Sequence, residues 1–191
     1  MSWEAISALS TLGTFVVVTA TAIAALVQLR HMRASNQITA TIGLMDKWAA
    51  PEFRKIANFV HQGELERKLL DPAYHAELSH APIDKLAHPE VAYLDFWESV
   101  GSLIKLGHIS EEAYLDLNSY PIISSWRKLE PVIAIIRRKR GSQVYDMFEY
   151  LASRAMLWEA KYPDGTYPAN TPHLPVVDKF PADAGAQARV S

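Results

Sequence analysis

The sequence predicts an all-α protein: one N-terminal transmembrane helix that continues into a stalk, then a bundle of about five helices and an extended Pro-rich tail. Three observations carry that expectation. From Ala5 to Leu29 the chain runs 25 residues without a charged side chain. Behind that run, apolar residues recur at intervals of three and four, the helical period, and no strand pairs stand out. After Tyr162 the period stops, and five of the eleven prolines fall between Pro163 and Pro181. The expected divisions are residues 1–34 as the anchor, 35–162 as a helical domain and 163–191 as the tail.

A helix rises about 1.5 Å per residue, so Ala5 to Leu29 would span roughly 37 Å, enough to cross a hydrocarbon core of about 30 Å with some tilt. A cleaved signal peptide fits less well. Glu4 stands where a positive n-region belongs, and the apolar run is longer than the usual 7–15 residues, although Ala22-Ile23-Ala24 has the small-x-small form of a cleavage site. A buried helix of a soluble domain rarely sustains so long an uncharged run. Arg30, His31 and Arg33 follow the span and only Glu4 precedes it, which predicts the N-terminus outside and the rest on the cytoplasmic side of the membrane. Trp3 suits the outer interface. The span is rich in small residues, Gly13 among them; Gly13 and Val17 break a strict small-xxx-small match, but the Ser10/Thr14 and Ala20/Ala24 pairs, each four apart, give a face suited to other transmembrane subunits. The alternative is that its hydroxyls bond back to their own helix.

Arg30 to Ala50 has no proline, and Leu29, Met32, Ile38, Ile42, Met45 and Trp48 keep the helical period, so the anchor should continue inward as a stalk. Pro51 ends it or opens a new helix with Phe53, Ile56, Ala57 and Val60 on one face. Glu64 to Leu70 and Tyr74 to Leu78 read as short helical pieces around Asp71-Pro72. From His88 or Pro89, a stronger helix carries Val91, Leu94, Trp97, Val100, Leu103, Ile104 and Leu106, and Gly107 closes it. Ser110 is an N-cap, with Glu111 and Glu112 in the positive first turn and Tyr114, Leu115 and Leu117 on the buried side. Tyr120-Pro121 is expected to interrupt that helix. Another follows through Trp126, Leu129, Val132, Ile133 and Ile136, with Pro131 as a kink or restart. The last helix is expected from Ser142 to about Tyr162.

Composition narrows the function. Net charge is −2, against general nucleic-acid binding, and with no cysteine there are no disulfides, thiolate metal sites or cysteine nucleophiles. No phosphate loop, nucleophile elbow or zinc-protease motif is present. His75, His80 and His88 match no common ligand spacing and read as ordinary exposed or capping histidines. The sequence therefore offers no catalytic, cofactor-binding or metal-ligating residues and implies no cofactor. Charge is uneven: Glu90–Asn118 holds six acids and one base, and Trp126–Arg140 six bases and one acid. Either neighbouring helices bring those faces together, or Arg137, Arg138, Lys139 and Arg140, like Arg30 and Arg33, meet anionic lipid headgroups or an acidic partner. In the tail, Tyr167, Leu174, Val177 and Phe180 supply apolar contacts on a segment that proline keeps extended.

The span AISALSTLGTFVVV with its basic stop, followed by FWESVGSLIKLGHIS, SSWRKLEPVIAIIRRKRG and VYDMFEYLASRA, resembles small bacterial single-span membrane proteins grouped as a domain of unknown function. The resemblance covers roughly Trp3 to Ala155. It implies a cytoplasmic helical domain behind one anchor, and it brings no activity and no catalytic residues. The expectation is a non-enzymatic, membrane-anchored interaction protein, an accessory or structural subunit of a larger complex. The alternatives are a membrane-tethered module that senses a soluble ligand and, third, an enzyme on a helical scaffold.

Overall fold

The computed structural model describes residues 2–177 and Lys179, and among them it holds seven α-helices and no strand. Helix α1 (Trp3–Ala49) is a single 47-residue rod. No proline interrupts it, and Thr11, Thr14, Thr19 and Thr21 donate their hydroxyls to the carbonyls of Ser7, Ser10, Phe15 and Val17, four residues back. Those hydroxyls are thus satisfied within their own helix. By length and composition α1 can cross a membrane, and none of its apolar window is buried. The rod runs through residue 34 without a break.

Helix α2 (Pro51–His61) starts with Pro51 in its first turn, where a missing amide costs nothing, and it buries Phe53 and Val60. Two short helices follow, α3 (Glu64–Lys68) and α4 (Pro72–Leu78), the second capped by Asp71, whose carboxylate accepts from Ala73 N at 2.9 Å. Helix α5 (Pro89–Lys105) is the centre of the bundle and buries Tyr93, Leu94, Phe96, Trp97, Val100 and Ile104. It ends in a Schellman closure: Gly107 N–H donates to Ile104 O, His108 N–H donates to Leu103 O, and Gly107 takes φ +71°.

Helix α6 (Glu111–Arg140) departs from the expectation. It is one 30-residue helix with Pro121 and Pro131 inside it, so Tyr120-Pro121 does not interrupt. Each proline removes one amide donor, at about 3 kcal/mol or more in a helix interior. The carbonyls freed belong to Leu117 and Arg127, both exposed, so water can satisfy them. Against that, one continuous stripe of Leu115, Ile122, Leu129, Val132 and Ile136 stays buried, at about 1.5–3 kcal/mol per side chain.

Helix α7 (Asp146–Lys161) begins four residues later than expected, because Gly141 and Tyr145 both take positive φ and hold 142–145 out of the helix. Leu106 and Leu117, expected on apolar stripes, are 69% and 65% exposed. Packing is densest where α7 lies against α5 and α6, with the Trp97 and Phe148 rings stacked at 5.9 Å. Beyond Tyr162 the described tail has neither helix nor strand.

Candidate functional site

Trp48 fastens the rod to the bundle. Its ring sits 5.3–6.1 Å from those of Phe53, Tyr93, Phe96 and Trp97. Three turns earlier, Gln37 Nε2 donates to Gly107 O at 3.0 Å. Moving along α1 from Gln37 to Trp48 therefore matches moving back along α5 from Gly107 to Trp97, so the two run antiparallel. Only five residues join the end of α5 to the start of α6, and Tyr93 Oη, near the start of α5, lies 3.1 Å from Ser125 Oγ, midway along α6, so α5 and α6 are antiparallel in turn. The start of α6 thus faces the N-terminal span, and its basic end points away. Ser110 to Arg137 is about 40 Å of helix.

Between the stalk and the start of α6 lies an apolar groove of about 410 Å³. Ala34, Ile38, Thr41 and Met45, with Gln37 and Ile42 at their sides, line the stalk wall, and Ala113 and Leu117 are among the residues of the other. Ile38 is 61% exposed and Met45 45%. Uncovered apolar surface of this kind marks a contact site more often than a solvated face.

The residues singled out in the sequence take different places. Ala5 and Gly13 lie in α1, where a Cβ on Gly13 would meet open space; Leu29, Arg30 and Arg33 are exposed. Arg137 is turned inward: its Nε donates to Val144 O at 2.8 Å and its guanidinium pairs with Glu149 at 2.7 Å. Arg138 and Lys139 are exposed, while Arg140 donates to His80 O at 3.3 Å. The α6 bases do not pair with the acids of α5. Lys128 meets Glu66 on α3, Arg137 meets Glu149 on α7, and Glu111 pairs with Arg154 of α7 at 2.5 Å. In the tail, Thr166 hydrogen-bonds Asp116, the Tyr167 ring stacks on His173 at 4.0 Å, and Leu174 and Val177 are exposed. Phe180 lies outside the described residues.

Sequence reasoning missed a buried polar network. Glu90 and His88 are fully buried, although His88 had read as an exposed or capping residue. Tyr74 Oη donates to Glu90 Oε1 at 2.8 Å, His88 Nδ1 lies 3.2 Å from the same oxygen, and His88 Nε2 lies 3.1 Å from Glu77 Oε2. Burial, reinforced by Glu90, pushes the Tyr74 phenol far above its usual range. Glu90 Oε2 is buried without a hydrogen-bond partner. Glu77, His80, Asp84 and His88 border an open cleft of about 440 Å³. The network ties α4 and the 79–88 segment to α5. Its only signal was the close spacing of His88 and Glu90 around Pro89, which reads equally well as a first-turn acid. Among the described residues no group of three or more histidines, aspartates and glutamates could hold a metal ion.

Glu98 was missed too. Its Oε2 accepts from Phe148 N at 2.8 Å, so α5 supplies the N-terminal cap that Tyr145 cannot give α7. Burial raises its pKa above the ordinary carboxylate value.

No curated protein matches the chain, and no solved structure matches it. One family does, over residues 15–155, from mid-span to the buried Ala155 of α7. That stretch holds the stalk, the groove and the α5–α7 core together, and the chain belongs to that family, described as a domain of unknown function (DUF4760).

Proposed function

We propose that this protein is a single-pass, membrane-anchored interaction protein: an accessory or structural subunit of a larger membrane complex, with a short N-terminus outside and its helical bundle in the cytoplasm. The observation that carries the reading is α1, whose apolar window is uncovered by the rest of the chain yet whose far end is fixed in the bundle core through Trp48. A helix anchored so firmly at one end and bare along the rest is suited to membrane insertion and lateral contact. The Arg30, His31 and Arg33 flank favours the cytoplasmic side for the bundle. Arg30 and Arg33 are placed to meet anionic headgroups. Arg138 and Lys139, at the far end of α6, suit an acidic protein partner better than the anchor's own bilayer.

Detergent extraction of a tagged full-length chain, with mass analysis of what co-purifies, tests this. A stoichiometric set of membrane subunits is expected. Recovery of the chain in the soluble fraction would overturn the membrane reading, and a membrane-bound lone monomer would overturn the subunit reading.

A second reading, a tethered sensor of a soluble ligand, is favoured by the cleft at Glu77, His80, Asp84 and His88, where His88 also reaches the buried Glu90. Binding of a small cationic ligand there, lost in Glu77→Gln, would support it.

A further inference from the structure

The geometry points to a second copy of this chain as the occupant of the groove between α1 and α6, in a parallel two-fold dimer built along α1; this rests on the membrane reading above. Of the six stalk residues that line the groove, Ala34, Ile38, Thr41 and Met45 have the four-three-four spacing of a helix-packing seam, and Gln37 and Ile42 flank it. The seam extends upward without a change of register. One seven-residue series runs Ser10, Val17, Ala24, His31, Ile38 and Met45, and the other runs Gly13, Ala20, Val27, Ala34 and Thr41, ending where Trp48 turns into the chain's own core. Neither series holds an Asp, Glu, Lys, Arg, Asn or Gln. Each of the other five series between Ser10 and Trp48 holds at least one, through Gln28, Asn36, Arg30, Asp46 and Arg33.

Two features select a second copy over an unlike partner. In a two-fold dimer every residue near the axis meets its own equivalent, so a charge there would oppose itself. This pair of series is the only one, at packing offset, without Asp, Glu, Lys, Arg, Asn or Gln, and His31 is its one titratable side chain. At the flanking positions, a parallel pairing sets each residue against one five positions on in the other copy. The only flanking charge, Arg30, then faces Ser35 of the second copy and meets no like charge.

Size ordering agrees. Ser10, Gly13, Ala20 and Ala24 put small residues on the seam beside Val17 and Val27, and Phe15 and Leu29 lie on the opposite face with Ala22, an arrangement that lets two helices approach closely in a bilayer. Below the membrane, where the stalks separate from lipid, the second α1 would fill the groove. The start of α6 would flank it, giving a core of two stalks and two α6 helices. A strict seven-residue repeat over this length also implies a left-handed supercoil.

The chain has no cysteine, so single cysteines report its contacts cleanly. Ala24→Cys, Ile38→Cys and Met45→Cys place thiols on the seam, and Leu29→Cys and Asn36→Cys place them on the opposite face. After copper-phenanthroline oxidation in native membranes, the seam variants should form a product of twice the 21.4 kDa chain mass at least tenfold more than the controls. In detergent, Met45→Arg should lower the dimer fraction about tenfold, and Met32→Arg, off the seam, should leave it unchanged.

Equal crosslinking on both faces, no dimer from the seam variants, or a seam product of a different mass would each overturn the proposal. The last of these would mean an unlike subunit in the groove. An alkaline carbonate wash of the same membranes separates the two levels: a chain washed off refutes the anchor, and a chain retained without seam crosslinks refutes the dimer alone.

Discussion

Gly101 of α5 lies against the backbone of α7 at Met147, so closely that a Cβ built on it would fall 2.1 Å from the Met147 carbonyl oxygen. The atom it would meet is backbone, which cannot swing aside as a side-chain tip would. One turn away, Glu98 caps the same end of α7 through Phe148 N–H. The two contacts hold α5 and α7 close together at this point.

Gly101→Ala is therefore expected to cost about 1–3 kcal/mol or more, since the backbone must move to relieve the clash. Chemical denaturation of the full-length protein in detergent measures it. An unchanged midpoint would mean that α5 and α7 are further apart than described. Glu98→Ala should cost about 1 kcal/mol as a lost cap, and Glu98→Gln less, because the amide oxygen can still accept from Phe148 N–H.

Trp97 is fully buried between Trp48, Phe96 and Phe148. Its truncation to Ala is expected to destabilise by roughly 3–5 kcal/mol. A melting temperature within a degree or two of the parent would show that the ring is not in the core.

His61 is half buried near Tyr93 and Ser125, and desolvation, helped by the nearby Lys128 charge, holds its pKa below the ordinary 6.5. The unfolded chain then takes up a proton at a pH where the folded one does not. Stability from this group is complete above pH 6.5 and is lost as pH falls from there through the folded pKa. Melting at pH 7.5 and 5.5 should show a drop for the parent and a smaller drop for His61→Gln. Equal drops would assign the loss to other groups.

The four bases at the end of α6 should separate cleanly. Arg137→Gln breaks an ion pair with Glu149 and a bond to Val144 O in a largely shielded site, and should cost about 1–3 kcal/mol. Arg138 and Lys139 are exposed, so Arg138→Gln and Lys139→Gln should stay within about 0.5 kcal/mol. Urea midpoints for the three variants decide this.

Deleting Tyr167 to Ser191 keeps the Thr166–Asp116 bond and removes residues that are largely exposed where described, so the melting temperature should move by no more than about 2 °C. A larger drop would make the tail a strap on its own bundle.

The sequence told most about the ends of elements. Pro51, Asp71, Pro89, Gly107 and Ser110 each sit at the helix terminus their chemistry suggested, because caps and breakers act within one turn. It misled where tertiary packing overrode a local signal. Pro121 reads as a break, yet the buried stripe on either side holds α6 straight through it. Leu106 and Leu117 fit their helical periods and still face solvent, since the period alone does not say which elements lie opposite. The groove required knowing that α1 and the start of α6 are neighbours. The His88–Glu90–Tyr74 network joins residues on three segments, and no one-dimensional pattern announces that convergence.

The unbroken run of α1 from the span to Trp48 has a mechanical consequence. Between Leu29 and Trp48 no loop can absorb a change of angle, so about 28 Å of helix acts as a lever arm. A 10° change in the tilt of the span would carry Trp48, and the bundle fastened to it, sideways by about 5 Å. In the membrane reading proposed above, the bundle's attitude is geared directly to that of the anchor, so a change in the tilt of the span would become a displacement of the domain below.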